Sequence, residues 1–470
     1  MSIIDHTVVF LLFVATCITG WIARPIAKEE TTKAFRDYRF SFLLACGCLA
    51  SAEAFTLPYG QALFHQFGWR TEEVQIMFGV AILPHLIVCF QVGAIADRYG
   101  RKQSCLLCCV LLMAMVVCSH IRAFWMMVTG IFLTNITSLT FTTAPESWLV
   151  HEHVVQRGLS GGLLGHMFAC MFVTRSAALV ATSYTASIVF GQNGGPIFEG
   201  SSIHVGGVHR LFDLGLLMSA VALGLIATRW NESTASLGKD AEGHVAYMLE
   251  AKKVILSDRR VALLGAGVAC FAASRLIFMQ HWFISLHVVS SEAGVMQDLS
   301  RTLRLHSVAL MSGMLGAVLY SMVSARLPGS FRSSVHMLGG SFAVGCLAFA
   351  VAAATSRRGE LGEMPSWACV VAVLVCKMFE GFAQPAAGVL KGEIIPDNVR
   401  TTLYVFFDWL GFLFASTQTA VMPGKALWHG ALALLAAVAF FVSLGLHTAP
   451  IGEGEGKDVD TFYQQVAKQV

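Results

Sequence analysis

Six ionisable side chains fall inside long apolar runs: Glu53, Arg175, Arg275, Lys377, Glu380 and Asp408. A charge near the middle of a bilayer costs about 2.5–3.5 kcal/mol even on the lenient insertion scale, so each needs a partner, a wet cavity or a task. The three bases and three acids suggest binding and proton uptake rather than bond-making. A guanidinium presents a donor fork that matches paired oxygens on an anion. A buried carboxylate that loses its cation rises in pKa and takes a proton. Thr56, Gln280 and His281 add neutral polar groups in the same runs. The plain structural reading of any one charge is an ion pair that locks two helices. For Glu53 and Arg275 the functional reading is preferred, whereas Lys377 and Asp408 are left open between the two.

A second cluster lies in a turn, Gly93-Ala94-Ile95-Ala96-Asp97-Arg98-Tyr99-Gly100-Arg101-Lys102. It separates two apolar stretches by so few residues that they must form a tight antiparallel pair. Gly100 supplies a backbone conformation that side chains resist, and Gly93 permits close helix contact. Arg98, Arg101 and Lys102 are cations at a membrane edge, which marks that edge as cytosolic. Asp97 is an acid placed to meet a partner, and Glu146 is a second acid at the same end of a later run.

The elements that position these groups follow from composition. In 470 residues, 56% are hydrophobic and 13% charged, with mean hydropathy +0.66, values foreign to an ordinary soluble chain. Apolar runs near twenty residues recur, each long enough to cross a bilayer as a helix. The expected core spans are 41–60, 74–96, 104–120, 124–148, 160–189 and 208–228, then a polar segment 229–260. A second set follows at 261–287, 304–325, 335–355, 366–390, 400–422 and 427–447. An earlier run, Val8 to Ala23, is preceded by Asp5 and His6 and followed by cations, the reverse of a signal peptide. It reads as a retained helix. Alternate loops carry Arg98, Arg101, Lys102, Arg157, Arg229, Lys252, Lys253, Arg259, Arg260, Arg326, Arg332, Lys391 and Arg400, and the opposite loops are poorer in cations, which puts the central loop and C-terminus in the cytosol. Residues 241–256 read as a linker helix or an amphipathic interface helix. Cysteines such as Cys105, Cys108 and Cys109 sit in apolar runs and read as packing residues. Gly161 with Gly165 and Ser312 with Gly316 have helix-contact spacing. His151 and His153 read as interface histidines. No nucleotide loop, metal cluster or nucleophile motif points to an enzyme or a bound cofactor, and the cations form no nucleic-acid patch.

The turn pattern G-x-x-x-D-R-x-G-R-K closely resembles the signature loop of major facilitator transporters. That resemblance implies an all-α membrane protein with two six-helix halves, here with one extra N-terminal transmembrane helix. The corresponding division is 1–40 for the extra helix and basic linker, 41–228 and 261–449 for the halves, 229–260 for the central loop and 450–470 for a tail. It also implies a gate in which Glu146 pairs with Arg101 and Asp97 sits at the N-terminus of the eleventh core helix near Thr401.

Further stretches resemble the molybdate-anion transporter branch: Leu57-Pro58-Tyr59, Glu146-Ser147-Trp148-Leu149-Val150-His151-Glu152-His153-Val154, Leu256-Ser257-Asp258-Arg259-Arg260-Val261 and Ile394-Ile395-Pro396-Asp397. Against that branch, an acid of the seventh core helix falls at Ala272 with Arg275 one turn on. An arginine of the fifth falls at Cys170 with Arg175 further along. An acid of the tenth falls at Lys377 and a base of the eleventh at Asp408, an apparent inversion that implies Lys377 and Asp408 face each other. The resemblance implies import of molybdate or a related oxyanion; the buried carboxylates point to proton coupling, and a monomer in the plasma membrane is expected. The alternatives are a same-fold transporter of an organic solute and a non-transporting scaffold or receptor.

Overall fold

The computed structural model describes residues 32–189, 194–232, 243–287, 295–326, 331–355, 367–421 and 426–447. The extra helix expected at Val8–Ala23 and the tail lie outside these. Fourteen helices follow in order among the described residues: α1 Lys33–Ala54, α2 Gly60–Gln66, α3 Thr71–Tyr99, α4 Arg101–Ser119, α5 Phe124–Val150, α6 Gly161–Val189, α7 His209–Arg229, α8 His244–Ser257, α9 Arg259–His287, α10 Val295–Ser324, α11 Phe331–Thr355, α12 Trp367–Ile394, α13 Arg400–Val421 and α14 Ala426–His447. Among the described residues, nine helical spans are long and apolar enough to cross a membrane. A two-stranded hairpin, β1 Gly195–Pro196 with β2 His204–Val205, caps one end between α6 and α7.

Helix ends follow local chemistry. Thr32 caps α1, its hydroxyl accepting from the Phe35 amide at 3.3 Å. The helix thus starts eight residues before the expected 41, and Lys33, Arg36 and Arg39, assigned to a linker, stand on its first turns. Pro58 opens a 3-10 turn at Leu57–Tyr59 that ends this span. Gly100, at φ +120°, is the sole residue between α3 and α4, a conformation in the region that favours glycine. Beyond α5 the chain continues as a π-helical turn, His151–Gln156.

The helices pack as two groups. α1 and α3–α7 share cores that include the stacked pair Trp148 and Trp230, centroids 4.1 Å apart. α9–α14 share another, around Phe271, Phe342 and Phe441. Between the groups, α6 lies on α10 and α12, and α13 lies on α3 and α5. These contacts need small residues. A Cβ on Gly165 of α6 would sit 2.7 Å from the Tyr320 hydroxyl of α10, and one on Gly388 of α12 would meet Phe168 of α6 at 2.8 Å. Ser312 and Gly316 serve within the second group, the Ser312 hydroxyl donating to the Leu374 carbonyl at 2.7 Å. The cysteines expected to pack do so: Cys105, Cys108 and Cys109 are buried and unbridged. The Gly100 turn stands at one end of the bundle, the signature face.

Candidate functional site

A cavity of about 160 Å³ lies between the two helix groups. Its lining brings together five of the residues singled out as mid-membrane charges. Arg175 comes from α6, Arg275 from α9, Lys377 and Glu380 from α12 and Asp408 from α13. Two further charges complete it, Glu146 of α5 and Lys391 of α12. Phe168, Phe172 and Phe271 supply apolar wall. The Arg175 guanidinium lies 4.2 Å from the centre of the Phe141 ring. Among the described residues, neither Arg175 nor Arg275 is in an ion pair.

The acids are held differently. Glu380 pairs with Lys377 one turn away, at 2.6 Å. The described ion pairs include none between Lys377 and Asp408, so the expected facing pair is replaced by a same-helix contact that spans no gap. Asp408 instead lies in the fields of Lys391 and Arg275. Glu53 of α1 stands apart from the cavity lining. It accepts from the Ser138 hydroxyl of α5 at 3.1 Å, and both Arg175 and Arg275 act on it electrostatically. Thr56 is not part of this site. Its hydroxyl turns back to the carbonyls of Ala52 and Glu53, at 3.2 and 3.0 Å, and closes the end of α1. The side chains of Gln280 and His281 lie outside the described residues.

Towards the signature face the expected pairing of Glu146 with Arg101 is not formed. Glu146 is ion-paired with Lys391 across the two groups. The reason is that α12 runs on to Ile394, so Lys391 is a buried helical residue and not the loop cation expected after a span ending at 390. Arg101 is fully buried and binds elsewhere. Its Nη1 donates to Asp397 Oδ1 at 3.0 Å, its Nη2 to the Asp397 carbonyl at 2.5 Å, and its Nε to the Thr401 hydroxyl at 3.4 Å. Asp97 lies 3.4 Å from the same guanidinium. The Asp97 carboxylate also accepts from the Thr401 and Thr402 amides, at 3.1 and 2.8 Å, and from the Thr402 hydroxyl. It therefore occupies the N-terminus of α13, where exposed amides and the helix dipole favour an anion. Gly93 makes room for this approach: a Cβ there would lie 2.7 Å from the Thr402 Cα.

The other turn cations lie outside the contact between groups. Arg98 stacks on Tyr99, 4.9 Å from its ring centre. Lys102 ties α4 to the end of α7, its Nζ donating to the Ala227 carbonyl at 2.9 Å.

Four residues towards this face were missed as site residues: Lys391, Asp397, Arg400 and His151. His151 Nδ1 lies 2.9 Å from Asp397 Oδ2, and Arg400 pairs with the other carboxylate oxygen. Burial pushes the Asp397 carboxyl up, but the His151 hydrogen bond and the charges of Arg400 and Arg101 outweigh it and hold the group well below the usual carboxylate range. Asp397 and His151 both stand in the stretches that carried the branch resemblance, which was the available signal. His153 faces its own group, 3.1 Å from the Ser160 carbonyl. Among the described residues, no group of three or more His, Cys, Asp or Glu is placed to hold a metal ion.

This architecture has relatives. Residues 6–358 match the profile of a family described as sugar transporters with 12 TM. The Xenopus laevis molybdate-anion transporter is 22% identical over 395 residues, covering 82% of this chain and 79% of that protein. The Danio rerio molybdate-anion transporter is 20% identical over 453 residues, covering 90% and 88%. Among solved structures, a proton:xylose symporter bound to 6-bromo-6-deoxy-D-glucose superposes with TM-score 0.59 at 14% identity, over 89% of this chain and 97% of that one. A bacterial homologue of the iron transporter ferroportin in an outward-facing state gives 0.61 at 13% identity, over 87% and 99%. The chain belongs to this 12-TM transporter family of the major facilitator superfamily, and is an integral multi-pass membrane transporter similar to the molybdate-anion transporters.

Proposed function

We propose that the protein is a secondary transporter that imports molybdate or a related tetrahedral oxyanion by alternating access. The observation that carries this reading is the convergence of Arg175, Arg275, Lys377 and Lys391 on one small cavity between the helix groups. Guanidinium forks bind paired anion oxygens and keep their charge at every physiological pH. A volume of about 160 Å³ is below the roughly 300–1,000 Å³ of sites for drug-sized ligands. The names of the curated relatives point to the same substrate class.

The signature face is the cytosolic one in this reading, as its cations suggest, and the C-terminus lies on that side. The Asp97, Arg101 and Asp397 network holds it shut, so the state described is closed to the cytosol. Rocking of the two groups about the cavity opens one face as the other closes. An arriving anion neutralises the field that Arg275 exerts on Glu53 and Asp408, and a carboxylate so left uncompensated takes a proton that travels with the substrate. The membrane is the plasma membrane.

A second reading, transport of an organic anion, draws on the three phenylalanines of the cavity wall. Reconstitution into vesicles separates the two. Saturable uptake of molybdate, tungstate or sulfate, accelerated by an inward proton gradient, supports the oxyanion reading. Uptake of organic solutes with no oxyanion flux supports the second.

A further inference from the structure

Lys391 and Glu146 join the two helix groups at the signature-face end of the cavity. Both line it, and both are more than nine-tenths buried. Lys391 Nζ also lies 4.4 Å from the centre of the Tyr404 ring, on the second group. The pair is built directly onto the closed face. Ser147, next to Glu146, is 2.6 Å from the Thr401 hydroxyl, and Thr401 is one of the residues capped by Asp97. Gly392, next to Lys391, accepts from Arg400 at 3.4 Å. On the other side, the same two charges share the cavity with Arg175 and Arg275.

A buried ion pair is costly to open when one charge is left uncompensated. An anion in the cavity removes that cost for Lys391, because it supplies a replacement counter-charge. It also repels Glu146, which is of like sign and belongs to the opposite helix group. We infer that the Lys391–Glu146 pair is an anion-operated latch: substrate takes Lys391 from Glu146 and thereby frees the signature face to open. This inference rests on the oxyanion reading of the cavity. It assigns Lys391 to substrate and makes Glu146 a competitor for the same cation.

The test uses the full chain in lipid nanodiscs, with molybdate as the probe. Binding is read by calorimetry, and opening by hydrogen exchange at the Thr401 and Thr402 amides, which Asp97 protects in the closed state. In Glu146→Gln, Lys391 has lost its competitor. Molybdate then binds about tenfold more tightly, and the two amides exchange faster even without it. In Lys391→Gln, binding weakens about tenfold and exchange no longer responds to molybdate. Glu146→Asp shortens the acid and moves both readouts in the direction of Glu146→Gln by a smaller amount, which covers the case in which the amide variant does not fold. A purely structural pair would lower stability in these variants and raise affinity in none. A wild-type chain that binds while both acid variants gain nothing overturns the latch alone. A wild-type chain that binds no oxyanion overturns the cavity reading and the latch with it.

Discussion

Asp97 caps the helix that begins about three hundred residues further along the chain: its carboxylate accepts from the Thr402 amide and the Thr402 hydroxyl, both at 2.8 Å. One side chain of α3 thus satisfies the start of α13 and joins the two helix groups. Such a cap is worth about 0.5–2 kcal/mol. Asp97→Asn keeps the shape but removes the charge. It is expected to shift the closed-to-open ratio of the signature face by about 5–30-fold towards open, as 1–2 kcal/mol requires. Hydrogen exchange at Thr401 and Thr402 measures this directly.

Gly93 tests the same contact by size rather than charge. Its missing Cβ would lie 2.7 Å from the Thr402 Cα and 2.8 Å from the Thr401 carbonyl, both backbone atoms that cannot swing aside. Gly93→Val is expected to hold α3 off α13, prevent closure and slow transport at least as much as Asp97→Asn. Gly60, with open space around its Cβ position, is the control, and its alanine variant should close normally.

Arg275 makes a prediction about substrate. A charge-assisted hydrogen bond contributes about 1.5–3 kcal/mol, so Arg275→Ala should weaken oxyanion binding by roughly 10–150-fold. Thermal unfolding should move little, because the described residues give its guanidinium no ion pair to lose. Arg275→Lys should recover only part of the loss, since an ammonium lacks the planar fork. Uptake and melting measured on the same preparation separate binding from folding.

The pH response of the lock follows from Asp397. Its carboxyl is held below the usual range by His151, Arg400 and Arg101 acting against burial. A depressed folded value means that the group contributes fully above its unfolded value of about 3.9, and that the contribution is lost only as pH falls through the folded value. The Asp397 lock therefore does not titrate between pH 5 and 8. In a His151→Gln background, where Arg400 and Arg101 still act on the carboxyl, exchange at Thr401 and Thr402, corrected for its intrinsic pH dependence, should stay flat across that window. Asp397→Asn leaves Arg101 buried beside a neutral side chain and should open the face at every pH in the range.

Much of this architecture is legible in the sequence. Apolar runs near bilayer length place the helices, and the charged turn at Gly93–Lys102 marks one face. The place that Asp97 occupies on α13 is what the resemblance carried by the turn pattern implies. What was not legible is which charges choose each other. Lys391 stands near Glu393 and Asp397, and local composition reads that as a loop; the helix instead runs on because its buried side has Gly388 and Gly392 to pack on α5 and α6. Its partner Glu146 is 245 residues away, beyond any local pattern. The pairing of Lys377 with Asp408 is not formed for the converse reason: Glu380, one helical turn along, offers Lys377 a carboxylate on its own helix, 2.6 Å away. Thr56 looked like a lining group, yet an end-of-helix hydroxyl finds its own backbone carbonyls first.

Arg175 and Arg275 are expected to hold a metal oxyanion between the two helix groups. Tungstate scatters X-rays anomalously and has the shape of molybdate, so a crystal grown with it locates the anion without assumption. One strong anomalous peak is expected in the cavity, within hydrogen-bond distance of both guanidinium groups and absent in Arg275→Ala. A peak elsewhere, or a cavity that stays empty while the same preparation transports tungstate, contradicts it.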